Sequence, residues 1–341
     1  MKIPEPKKLQ SGRWRVQILV DGRRISQTFD TKEAAIYWAA GIKTRAKEAE
    51  YTPQNMTIAT AIDRYIESKS AILSPSTILN YRRMKVNLMS DIASIRLPEL
   101  TQEKVQRWVN AMAKTKSPKT VANAHGLLSA VLGEYKPSMT LRTTLPQKVK
   151  PSIQIPSEAE IRAILATAKG TKYELPIILA IWLGLRQSEI LGLTWGCIDG
   201  DVIHIKQAVV PGENGPAVKG TKTYSGNRTI HLPDYIKSYL TAIPRGNDDD
   251  FIVKMTAASI YQGFTRICKK AGVPHFRFHD LRHTNASVML AAGIPDKYSM
   301  KRMGHATNNM LKTTYQHIIK EKESEYDHKI DTYFESLMQP E

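Results

Sequence analysis

Residues 276–284 read FRFHDLRHT. As the opening of a helix, the segment sets His279 and Arg282 three positions apart on one face, with His283 one turn beyond His279. A hydrogen-bond donor beside a permanent guanidinium suits an oxyanion. The same letters have a second reading as a two-histidine zinc helix, but that motif needs a glutamate base directly after the first histidine. Here the position holds Asp280, and Arg282 would put a fixed cation beside the ion, so no metal is expected.

Working upstream, residues 184–195 read GLRQSEILGLTW and close an apolar run, Leu175–Leu185. At 11 residues, interrupted by Pro176 and Gly184, the run is far short of a bilayer span and is expected to be a buried helix. Arg186 precedes Glu189 by three positions. Two readings are open for the pair: a guanidinium fork for two phosphate oxygens steadied by the glutamate, or a plain intrahelical ion pair. Between these stretches lie strand-like segments, Val202–Val209 and Arg228–Leu232, around a glycine-rich hairpin that carries Lys222. Downstream, His305 follows Gly304 in RMGHATNN, and ten residues later Tyr315 stands in LKTTYQHI. Taken singly, a histidine or tyrosine is more often structural. As a set, Arg186, Lys222, His279, Arg282, His305 and Tyr315 supply several positive donors and one phenol, which is what cutting a phosphodiester through a covalent tyrosyl intermediate requires.

Composition agrees with a polyanionic partner. The 341 residues carry 49 Lys and Arg against 32 Asp and Glu, a net charge of +17 and a sequence pI near 9.7. The excess persists through residue 317, whereas residues 318–341 are acidic. Two cysteines, Cys197 and Cys268, build neither a disulfide framework nor a cysteine-rich zinc site. The first residues, MKIPEPKKLQ, lack the apolar core of a secretion signal, and a cytoplasmic protein without membrane attachment is expected.

The chain reads as multidomain and mainly α. Residues 1–50 form a small α+β module: alternating segments Trp14–Val20 and Arg23–Phe29 joined by Asp21-Gly22, then a helix whose cap is read at Asp30 with Glu33 three positions on. Arg13, Arg15, Arg23 and Arg24 on this hairpin fit a β-ribbon in a DNA groove, and equally a solvated basic edge. Residues 56–136 read as a bundle of four helices, Thr57–Lys69, Ser74–Asp91, Thr101–Lys114 and Ser117–Tyr135. Ser74-Pro75 and Ser117-Pro118 each place a cap before a first-turn proline. Arg82, Arg83, Lys85 and Lys119 are its candidate phosphate contacts. Residues 137–156, rich in proline and basic residues, read as a linker. A mixed, mostly helical α+β domain over 157–320 opens on a capping box, Ser157 with Glu160, and 321–341 read as a last amphipathic helix.

The stretches GLRQSEILGLTW, TKTYSGNRTIHL, FHDLRHT, MGH and TTYQHI, over most of residues 157–320, resemble the tyrosine recombinase (phage integrase) family. The resemblance implies a site-specific DNA recombinase that integrates or excises a phage or mobile element through a 3′-phosphotyrosyl intermediate. It assigns Arg186, Arg282, His279 and His305 to the scissile phosphate, Lys222 to the leaving oxygen, Tyr315 to the nucleophile and Glu189 to the family's acidic position after the first arginine. It implies neither cofactor nor ATP. It implies an arm-type DNA-binding module over 1–50, a core-binding domain over 56–136, a homotetramer on double-stranded DNA with core-type and arm-type attachment sites, and a tail that docks on a neighbouring protomer. DNA-bending and directionality factors are further expected partners. Two departures stand out. The hairpin between Lys222 and Arg228 is a residue longer than the common pattern, which leaves Lys219 as a second candidate acid, and Met303 replaces the usual leucine before Gly304. A type IB topoisomerase would use nearly the same residues but relax supercoils without exchanging partners. A non-catalytic DNA-binding protein would keep the basic domains and tolerate loss of the nucleophile.

Overall fold

The computed structural model describes residues 4–20, 23–50, 55–148, 154–220 and 226–304, with the side chains of Val20, Arg23 and residues 43–50 outside the description. The chain divides into two compact units, Met1–Val149 and Lys150–Glu341.

The first unit opens with strands β1 (Lys7–Lys8), β2 (Trp14–Val20) and β3 (Arg23–Phe29), an antiparallel sheet in that order, followed by helix α1 (Lys32–Glu50). The β2–β3 register runs from Trp14 opposite Phe29 to Val20 opposite Arg23. Strand alternation therefore turns Val16 and Ile18 to one face, where they meet Ala35 and Ala39 of α1, with Trp14, Phe29, Trp38 and Ile42 around them. Arg15, paired with Thr28, and Arg24, paired with Leu19, occupy the opposite face. The helix cap is Thr31 rather than Asp30: its Oγ1 accepts the Ala34 amide at 3.2 Å, while Asp30 pairs with Arg13 at 2.8 Å. Asp21 and Gly22, read as the turn, lie outside the described residues.

Four main helices, α2 (Ile58–Ser68), α3 (Pro75–Leu88), α5 (Gln102–Ala113) and α6 (Pro118–Tyr135), and a short α4 (Ser90–Ala93) then surround a second core. Thr57, Thr101 and Ser117 cap α2, α5 and α6 by accepting the amide three residues on at 3.2, 3.3 and 3.3 Å. Each such cap contributes about 1 kcal/mol. Ser74 turns its hydroxyl to Ser76 instead, at 2.9 Å, and α3 starts on Pro75 without a side-chain cap. The helix read as Ser74–Asp91 breaks at Met89, whose side chain is fully buried while its backbone leaves the helical region. Trp108 donates Nε1–H to the Leu88 carbonyl at 2.7 Å, satisfying an orphan group at the end of α3. The stretch after α6 is extended and lies along α5. Gln102 and Gln106, one turn apart, each accept and donate to its backbone at Arg142 and Thr140 and at Thr144, over 2.6–3.1 Å.

In the second unit, α7 (Glu158–Ala168) begins with the expected capping box, Ser157 and Glu160. The apolar run forms α8 (Glu174–Trp182), buried on most sides, and α9 (Gln187–Leu191) follows. Strands β4 (Ile198–Asp199), β5 (Val202–Ile205), β6 (Gln207–Gly212), β7 (Gly215–Gly220) and β8 (Arg228–His231) come next, then α10 (Asp234–Thr241), α11 (Ala257–Lys270), α12 (Asp280–Ala291) and α13 (Asp296–Met303). The expected single strand Val202–Val209 is two: β5 joins a sheet in the order β4-β5-β8, and β6 forms a separate ribbon with β7. Lys206 marks the break, where the backbone leaves one partner for the other. The core gathers Ile177, Leu179, Leu183, Ile190, Ile203, Ile230, Phe264 and Leu281, so sheet and helices share one apolar interior. Among the described residues no helix is long and apolar enough to cross a membrane.

Candidate active site

The site grows from the end of α8. Asn285 of α12 donates its Nδ2 group to the carbonyls of Ile181 and Trp182, both at 2.9 Å, closing that helix end. The chain then reverses at Gly184, whose φ is +64° and whose absent side chain leaves room for Met303 and Asn285. A Cβ there would sit 2.6 Å from the Met303 sulfur and 2.8 Å from Asn285 Oδ1. The reversal aims the Gly184 carbonyl at Arg282, which donates Nη1 to it and Nη2 to the carbonyl of Met303.

Arg186 does not share a helical face with Glu189, as their spacing suggested. It is the N-cap residue of α9, extended in backbone, and Glu189 reaches back to it from the first turn. The carboxylate accepts the Arg186 amide at 2.9 Å and its Nη1 at 2.6 Å. From the other side Arg228, the first residue of β8, donates Nη2 and Nη1 to the same two oxygens at 2.9 and 3.2 Å. The plain intrahelical ion pair is thus not what forms, because Arg186 caps α9 and Glu189 is shared between two arginines.

A second set of contacts gathers the arginines on one short segment. Arg228 Nε donates to the carbonyl of Arg302 at 2.8 Å, Arg282 Nη2 to that of Met303, and Arg186 Nη2 to that of Gly304 at 3.0 Å. Three consecutive carbonyls at the end of α13, where the helix leaves its last C=O groups unpaired, therefore each accept from a different arginine. Gly304, in the left-handed region at φ +64°, turns the chain there.

Electrostatically the cluster is out of balance. Among the described residues three guanidinium groups, those of Arg186, Arg228 and Arg282, lie about the Glu189 carboxylate, and the side chains of Arg228 and Glu189 are 2% and 4% exposed against 35% for Arg186. Burial pushes the Glu189 carboxyl upward, but the hydrogen bonds and charge of Arg228, with the charges of Arg186 and Arg282, outweigh it and hold the group at about 2. Burial and the Arg186 charge push Arg282 down to about 9, which still leaves it protonated at neutral pH. The residual positive charge opens to solvent at Arg186, the arrangement an anion would complete.

His279 stands at the N-terminus of α12, its ring edge-on to His283 with centroids 5.2 Å apart. It keeps a solvent-facing side. Desolvation, then His283 and the charges of Arg282 and Arg186, push its imidazole down to about 4 against the pull of Asp280, so it is neutral at pH 7. Asp280 is bound by Arg277, through Nη2 at 2.8 Å and the backbone amide at 2.8 Å. Among the described residues no group of three or more His, Cys, Asp or Glu side chains is placed to hold a metal ion.

Of the residues expected at the site, Arg186, Glu189, His279 and Arg282 lie together; Lys222, His305 and Tyr315 lie outside the described residues, as does the tail. Lys219, the second candidate acid, is on β7. Arg228 was not singled out in the sequence. A charged residue in R-T-I-H, alternating with Ile230 on the buried face, is the signal that marks it, since a buried charge requires a partner. Among the expected DNA contacts, Arg15 is exposed and touches Ser26 Oγ at 3.0 Å, Arg24, Arg83 and Lys119 are exposed, and the Arg23 side chain is outside the description. Lys85 and Arg82 share Asp63, the latter at 3.8 Å, so part of that cluster's charge is neutralised within the bundle.

The phage integrase family model matches residues 156–322. A tyrosine recombinase XerC-like protein of Caldanaerobacter subterraneus is 26% identical over 298 residues, covering 72% of this chain and 75% of that one. A putative prophage phiRv2 integrase of Mycobacterium tuberculosis is 24% identical over 355 residues, covering 95% and 94%. In fold, the chain is similar to the Tn1549 transposon integrase bound to transposon right end DNA, with a TM-score of 0.64 at 21% identity over 76% of this chain and 95% of that one. It is also similar to a lambda integrase tetramer bound to a Holliday junction, with a TM-score of 0.59 at 16% identity over 92% and 95%.

Proposed function

The chain belongs, through residues 156–322, to the phage integrase family of tyrosine recombinases, and we propose that it is a site-specific DNA recombinase acting for a phage or other mobile element. The observation that carries this reading is the anion-seeking cluster of Arg186, Arg228 and Arg282 around Glu189, beside His279. In this reading Arg186 and Arg282 neutralise the non-bridging oxygens of the scissile phosphate, and His279 and His305 donate hydrogen bonds to it. Tyr315 attacks phosphorus, giving a 3′-phosphotyrosyl link and a free 5′-hydroxyl, with Lys222, or Lys219, protonating the leaving oxygen. Attack by a partner strand's 5′-hydroxyl re-forms the phosphodiester and releases the phenol. The link keeps the energy of the cleaved bond, so the reaction runs without ATP, and the fixed cations supply the charge a metal ion would otherwise provide.

Residues 1–50 bind arm-type sites and 56–136 core-type sites of double-stranded DNA, four protomers act together in the cytoplasm, and the acidic tail couples neighbours. The integrase and recombinase relatives speak against the topoisomerase alternative. The test is a nicked suicide duplex carrying the element's attachment core. The wild-type protein accumulates a covalent adduct in the presence of a chelator, and Tyr315→Phe accumulates none. An adduct with Tyr315→Phe contradicts the reading.

A further inference from the structure

Among the described residues of the site, Arg228 makes four side-chain hydrogen bonds, as many as Glu189 accepts. Its guanidinium spans both Glu189 oxygens, the Gly226 carbonyl at 3.1 Å and the Arg302 carbonyl at 2.8 Å, with the side chain 2% exposed. These contacts join three pieces of chain: the first turn of α9 that carries Glu189 and receives Arg186, the strand that follows the hairpin, and the end of α13 that leads to residue 305.

Charge explains why such a residue matters. Glu189 accepts from Arg186 on both of its oxygens. With Arg186 as its only close cation, the carboxylate would cancel that charge and hold the fork as a closed ion pair, competing with any phosphate for it. Arg228 neutralises Glu189 from the buried side, so the charge of Arg186, the open member, remains uncancelled. The same guanidinium fixes where the carboxylate points and so where the Arg186 fork is directed.

Resting on the recombinase reading above, we infer that Arg228 is a positioning residue for strand cleavage: it balances the charge of Glu189 and aims Arg186 at the scissile phosphate without touching the DNA. The inference predicts a loss confined to the chemical step, and a rescue that a purely structural role would not give. Arg228→Lys keeps the charge but has one nitrogen in place of the fork; Arg228→Met removes the charge at similar length; Arg228→Met combined with Glu189→Gln removes both charges.

The experiment measures single-turnover adduct formation on the suicide duplex, duplex affinity and thermal unfolding for the full chain. Arg228→Lys and Arg228→Met are expected to form adduct about 10- to 100-fold more slowly, with affinity within about threefold of wild type, as befits a group that makes no phosphate contact. The double variant is expected to recover about tenfold over Arg228→Met, because its Arg186 is no longer held by an uncompensated carboxylate. A folded Arg228→Lys that cleaves at the wild-type rate overturns the inference, and so does a double variant no faster than a folded Arg228→Met. Should Arg228→Met not fold, the comparison of Arg228→Lys with wild type decides. Wild-type protein that forms no adduct at all contradicts the recombinase reading instead, so the two failures are distinct.

Discussion

The backbone carbonyl of Gly184 accepts a hydrogen bond from Arg282 across 98 positions of sequence, at a left-handed turn where a Cβ would press on Met303 and Asn285. Replacing Gly184 by alanine therefore strains the backbone and drives a methyl group into Met303 and Asn285. The expected cost is about 1–3 kcal/mol in stability, read from denaturant unfolding. Adduct formation should fall with it, since the carbonyl that orients Arg282 shifts. Wild-type stability in Gly184→Ala would show that the turn is not constrained as described.

Arg282 is 1% exposed and satisfies two buried carbonyls, those of Gly184 and Met303. Arg282→Met strands both, at about 1–3 kcal/mol for each unpaired group, and removes one of the proposed phosphate-binding charges. Unfolding and adduct assays should both show the loss. Arg186→Met, at a site 35% exposed, is expected to abolish adduct formation with a smaller loss of stability. Equal destabilisation by the two would contradict this division between buried support and open contact.

Acid sensitivity has a definite sign. His279 falls from an ordinary 6.5 to about 4, and Glu189 from 4.5 to about 2, so the folded protein binds fewer protons at both than the unfolded chain does. Their contribution is complete above about pH 6.5; it declines as the pH drops toward 4 for His279, and from 4.5 through 2 for Glu189. The midpoint of thermal unfolding should reach a plateau above that pH and fall below it, with Glu189→Gln shallower in the most acidic part. A midpoint that rises on acidification from pH 6.5 to 4 would reverse the sign of the account.

On the small N-terminal sheet, Arg15 and Arg24 share the face turned away from α1, whereas Arg13 is paired with Asp30. If the exposed pair meets arm-type DNA, replacing both by alanine should lower the slope of log affinity against log salt by about 2, near 0.9 per phosphate contact. Arg13→Ala should change it less. An unchanged slope in the double variant assigns the pair to a solvated edge.

Much of this architecture was legible in the sequence because its signals are local. Ser117 and Ser157, read as caps, accept the backbone amides three residues on, whereas the caps read at Ser74 and Asp30 make no such bond, and the apolar spacing of α2 and α5 repeats with the helix. The contacts that organise the site are long-range, and no spacing encodes them. Glu189 meets Arg228 39 positions away, and Arg186 meets the Gly304 carbonyl 118 positions away. Sequence spacing suggested an Arg186–Glu189 helical pair, whereas the structure makes Arg186 a cap, extended in backbone two residues after the left-handed Gly184. The break between β5 and β6 was equally hidden, since both segments are rich in β-branched residues and only their partners differ.

Under the proposed function, Tyr315 is the residue that becomes covalently bonded to DNA. The most direct measurement traps the covalent complex on a suicide duplex, digests protein and DNA, and locates the remaining nucleotide by tandem mass spectrometry. A 3′-phosphonucleotide on Tyr315, formed equally well with a chelator present, is the expected result. A nucleotide on any other side chain, or cleavage that a chelator abolishes, would contradict it.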